Sequence, residues 1–99
     1  MIKREVAVNP QLPADYVEQT VTEICLAAGL RVTLKSTLAA YPGSVHWHLK
    51  QGSARGTLEI TWWPAPRQLW LAVQTGRTGP WIEAMLAGLP GEIESTLAA

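Results

Sequence analysis

His46 and His48 flank Trp47 in a segment that alternates like a strand, so both imidazoles belong to one face of a sheet. Pairing this segment antiparallel with the next one sets Glu59 opposite His48 and Thr61 opposite His46. Two imidazoles and one carboxylate form a ligand set for a transition metal. The same residues also serve a solvated polar face carrying a His–Glu cross-strand pair, and the sequence favours that reading. A catalytic zinc site uses three well-placed protein ligands, and beyond His46 and His48 the chain places no ligand with equal clarity. No cofactor is therefore expected, and His46, His48 and Glu59 are the only residues in contention for a metal.

Enzyme templates find little else. No glycine-rich phosphate loop follows a strand, and there is no Gly-x-Ser-x-Gly turn. The one aspartate, Asp15, reads as a helix-start charge, and Glu92 and Glu94 read as solvated. The lone Cys25 cannot form an internal disulfide and reads as a small buried apolar residue. A non-enzymatic protein is the expectation.

The tryptophans divide by face. Trp47 and Trp62 fall on the apolar side of their strands, whereas Trp63 and Trp70 fall on the side where polar residues alternate. There Trp63 and Trp70 are expected to face each other beside Thr61 and Ala72. A large exposed aromatic pair calls for a cover. The plain structural reading is a cross-strand aromatic pair shielded by the Pro64-Ala65-Pro66 loop; the functional reading carried forward is a partner protein, above all a second copy of the chain. An alternative is a stacking platform for unpaired bases, with Lys35, His46, His48 and Lys50 supplying charge. A separate basic group, Arg31, Lys50, Arg55 and Arg77, comes from loops and strand ends that topology brings to one end. The start of the last helix lies there with its free N–H groups, so weak anion binding at that end is the alternative to a simply solvated basic surface.

The elements that position these residues follow from periodicity. Residues 2–8 alternate weakly and read as a strand. Pro13 suits the first helical position, and Val17, Val21, Ile24 and Ala28 form an apolar stripe that stops at Gly29. Leu30, Val32, Leu34 and Leu38 then face inward on a second strand. Tyr41-Pro42-Gly43-Ser44 has the proline and glycine of a type II turn. Val45, Trp47 and Leu49 continue the inner face, as do Leu58, Ile60 and Trp62, then Leu69, Leu71 and Val73. Matching faces sets Trp62 opposite Leu71 and Ile60 opposite Val73. The last helix starts near Thr78, Gly79 and Pro80 and carries Ile82, Met85, Leu86, Leu89, Ile93 and Leu97. Pro90 is expected to kink or break it, and Trp81 to cover the end of the core.

The order is β-α-β-β-β-β-α. Chain direction lets the first strand pair antiparallel with the last, giving one five-stranded antiparallel α+β sheet with both helices packed on one face. In topology alone this order is similar to that of TATA-box-binding-protein-like and helix-grip domains. A length of 99 residues fits a single domain over 1–99. Eight basic and eight acidic residues cancel, which disfavours nucleic-acid binding through net charge. No apolar run is long enough to span a membrane, and Met1–Glu5 has a basic start without the apolar stretch of a signal peptide. These features place the expected protein in the cytoplasm, as a small interaction module that self-associates through its outer sheet face.

Overall fold

The structure is a computed structural model that describes residues 1–99. Five strands and two helices follow in the expected order: β1 (Ile2–Val6), α1 (Ala14–Ala27), β2 (Arg31–Ser36), β3 (Val45–Lys50), β4 (Leu58–Trp63), β5 (Gln68–Val73) and α2 (Pro80–Leu97). They build one antiparallel sheet in the order β1-β5-β4-β3-β2. The first strand thus closes against the last, as chain direction requires. No helix is long and apolar enough to cross a membrane.

Alternation builds the core. Trp47, Leu49, Leu58, Ile60, Trp62, Leu69, Leu71 and Val73 are buried on the inner face. Both helices cover that face, burying Val17, Val21 and Cys25 from α1 and Trp81, Ile82, Leu89, Ile93 and Leu97 from α2. Ile24, Met85 and Leu86 pack at its margin. Burial and the nearby Glu92 carboxylate push the Cys25 thiol up to about 12, so it is an inert core residue at neutral pH. Gly29 ends α1 at a φ of 84°. Its N–H donates to the Leu26 carbonyl and that of Leu30 to Cys25, a Schellman cap. Gly79 rather than Thr78 caps α2 and Pro80 opens it, while Pro13 sits one position earlier than expected, as the cap of α1.

Three local expectations are corrected. The β4–β5 pairing is offset by two residues: Ile60 lies opposite Leu71, and Trp62 opposite Leu69. A shift of two keeps every side chain on its face, and the tight 64–67 turn, with Arg67 at a φ of 58°, selects it. On β2 a bulge falls between Val32 and Leu34. The extra residue reverses the alternation. Leu34 is therefore 44% exposed on the outer side. Lys35 moves to the helix side, where its ammonium lies 2.6 Å from the Glu18 carboxylate. Finally, α2 runs unbroken through Pro90. Proline removes the N–H that would have met the Leu86 carbonyl, but Leu89, Ile93 and Leu97 are buried on both sides of it.

Candidate functional site

The outer sheet face is not an open tryptophan surface. Residues 37–44, between β2 and β3, fold back across it. The type II turn forms, with Gly43 at a φ of 80° and the Ser44 N–H donating to the Tyr41 carbonyl. The buried Ser44 hydroxyl accepts the Leu38 N–H. The Trp63 indole N–H donates to the Pro42 carbonyl at 3.0 Å. The Tyr41 ring stands edge-on to both Trp63 and Trp70, at centroid distances of 4.9 and 5.3 Å. Trp63 and Trp70 do not face each other as expected: Thr61 lies opposite Trp70, and Gln68 opposite Trp63. Tyr41 bridges the two rings instead. Thr61, Trp70 and Ala72 are buried within the chain, and Trp63 is half-buried.

One opening remains beside this cover. It is a cleft of about 140 Å³ lined by Met1, Lys3, Leu38, Tyr41, His46, Glu59, Thr61, Trp70, Ala72 and Gln74. Its floor comes from β3 and β4, and its walls from β1, β5 and the 37–44 loop. Lys3 enters because β1 pairs with β5, which sets it opposite Ala72. Its ammonium lies 4.7 Å from the Trp70 ring, a cation–π contact.

The ionisable residues at the floor are joined. Glu59 lies opposite His48, and Thr61 opposite His46, as expected. His46 Nε2 is 3.2 Å from Glu59 Oε1, and His46 Nδ1 is 2.8 Å from the Thr61 hydroxyl. His48 Nε2 is 3.9 Å from the same Glu59 oxygen, and the two imidazoles meet edge-on at 5.0 Å. His46 and Glu59 are buried, so the polar face is not the solvated one expected.

Desolvation holds the His46 pKa below its ordinary value and outweighs the opposing pull of Glu59; His48 pushes in the same downward direction. The unfolded chain therefore takes up a proton near pH 6.5, where folded His46 resists it. Stability is unaffected by His46 above that pH and falls as pH drops below it, by at most about 1.4 kcal/mol per pH unit for one proton. Urea melts of chelator-treated protein at pH 7.5 and 5.5 should show a larger loss in the parent than in His46→Gln. Equal losses would contradict the burial of a neutral imidazole.

Arg31 pairs with Lys50 across β2 and β3, and its guanidinium donates to the Gly52 carbonyl. The Arg55 carbonyl accepts the Trp81 indole N–H, and the Arg77 carbonyl accepts the Thr57 N–H. These contacts tie both segments to the start of α2. The four residues lie on segments tied to one another at that end, yet none of them lines a cleft. Lys35 lies on the opposite sheet face from His46 and His48, so the basic and aromatic platform weighed as the alternative loses that residue. Pattern reading missed Tyr41, Lys3 and Gln74 as cleft residues, and it set Leu38 on the inner face of the second strand, whereas that strand ends at Ser36 and Leu38 lines the outer cleft. Tyr41 and Leu38 sit in a loop without periodicity, and Lys3 reaches the site only through the β1–β5 pairing. Comparisons with protein-family models, with curated proteins and with solved structures found no match to this chain.

Proposed function

We propose that the chain is a small, non-enzymatic binding domain that takes a small polar or charged ligand in the outer-face cleft. One observation carries this reading: the buried His46–Glu59 pair, costly to desolvate, opens into the cleft instead of being sealed beneath the loop. The aromatic wall of Tyr41 and Trp70 with a few convergent polar groups has the composition of a ligand site. The volume suits an ion with its waters or a molecule of a few heavy atoms, since a cavity of about 150 Å³ admits benzene. Self-association through Trp63, Trp70, Thr61 and Ala72 would first require the 37–44 loop to leave, which is why we place the site in the cleft. A reducing, cytoplasmic setting is part of the proposal and rests on the lone buried Cys25.

Thermal melts with zinc chloride, sodium acetate and sodium phosphate, each added separately, test the reading. At least one should raise the midpoint of the parent, and Glu59→Gln should reduce that rise. No rise with any of the three would overturn the cleft reading. Sedimentation should show a monomer. A dimer that dissociates in the Trp63→Thr/Trp70→Thr double variant would return the function to self-association.

A further inference from the structure

The geometry points to a site for one divalent first-row transition metal ion, of the zinc or iron(II) class, held by His46, His48 and Glu59. This inference rests on the cleft reading and gives its ligand a chemical class. The three side chains offer imidazole and carboxylate donors, the mixture such ions take. Their ligand atoms all lie within 4.8 Å of one another. A four-coordinate ion with bonds near 2.1 Å holds its ligand atoms about 3.4 Å apart. Closing around an ion thus needs the widest pair to approach by up to about 1.4 Å, and His48 is the half-buried member of the three.

Two further features favour an ion over a merely satisfied polar cluster. The first is Thr61. A metal on Nε2 of His46 requires a proton on Nδ1, and that proton needs an acceptor to fix the tautomer. The Thr61 hydroxyl stands 2.8 Å from Nδ1. A hydroxyl both donates and accepts, so it serves neutral His46 without metal and Nδ1–H with it. The second is the opening. His46 and Glu59 line the cleft, which leaves a coordination position facing space that water or a small anion could occupy. The ligands themselves project from β3 and β4, paired strands inside the sheet, which hold them in place. Lys3, the cation of the same cleft, is exposed and rests on the Trp70 ring; Glu59 pairs with the two imidazoles and not with it.

Calorimetric titration of the untagged, chelator-treated chain with zinc chloride tests the site, with cobalt(II) chloride as a spectroscopic probe. The expected result is one equivalent bound, with visible cobalt bands of the intensity of a four- or five-coordinate ion. His48→Ala, at a half-buried position that leaves the fold intact by circular dichroism, should weaken zinc binding at least tenfold. Thr61→Val should weaken it about tenfold through loss of the partner on Nδ1. Absence of saturable binding, or binding unchanged in His48→Ala, overturns the metal site. If zinc fails while acetate or phosphate still stabilises the parent, the cleft reading survives and the metal does not. If all three fail, both fall together.

Discussion

Replacing Trp62 with alanine should lower the stability of the chain by about 3–5 kcal/mol, the range for deleting a large aromatic from a packed core. Trp62 is fully buried at the inner face of β4, opposite Leu69 on β5 and Val45 on β3. Its indole N–H donates to the Ala14 carbonyl in the first turn of α1, so the variant also loses a link between sheet and helix. The cavity would open where the sheet meets the start of α1, held there by the stiff 64–67 turn, and little can collapse to fill it. Urea melts measure the effect. A Trp62→Ala variant as stable as the parent would reverse the assignment of faces, and with it the placing of His46, Glu59 and Thr61 on the outer side.

Arg67→Ala should cost about 2 kcal/mol, and Arg67→Gly about 1 kcal/mol less. The Arg67 guanidinium donates to the Asn9 carbonyl at 3.2 Å and the Leu12 carbonyl at 2.6 Å, fastening the segment that leads into α1. It also stands over the Trp62 ring, with 5.1 Å from guanidinium carbon to ring centroid. Hydrogen bonds to a charged donor are worth about 1.5–3 kcal/mol each. Two features offset part of that gain. The Arg67 Nε is buried without a partner, and the backbone at a φ of 58° is unfavourable for any residue except glycine. Glycine removes the clamp and the strain together, whereas alanine removes the clamp alone. Equal stability of Arg67→Ala and the parent would show that the clamp contributes nothing. Because Arg67 and Trp62 touch, the double variant should lose less than the sum of the two.

The parts legible in the sequence were those governed by period and direction. Alternation alone places Trp47, Ile60, Trp62 and Leu71 inward, and it pairs His48 with Glu59 and His46 with Thr61, as the structure does. Chain direction put β1 beside β5. A period-two pattern is blind to a shift of two, so the offset between β4 and β5 left no trace in it. The bulge after Val32 was hidden because Leu30, Val32 and Leu34 alternate as if the strand were regular. Pro90 obeys a local rule that the buried residues on either side of it override. The site itself was half legible. Its charged floor could be read from cross-strand pairing, but its cover could not. Tyr41 meets Trp63 and Trp70 through a loop whose path depends on Trp63 donating to Pro42 and Ser44 accepting from Leu38, contacts with no signature in spacing.

With that cover in place, the proposed function puts ligand binding in the cleft beside Tyr41, not across an exposed tryptophan surface and not at the basic end. Amide and indole chemical shifts of the isotope-labelled chain, followed by nuclear magnetic resonance while zinc chloride, acetate or phosphate is added, report this directly. The account predicts saturable shifts centred on His46, Glu59, Thr61, Tyr41 and the Trp70 indole, with Arg31, Lys50, Arg55 and Arg77 left in place. Shifts confined to those four residues, or no saturable shift with any of the three, would contradict it.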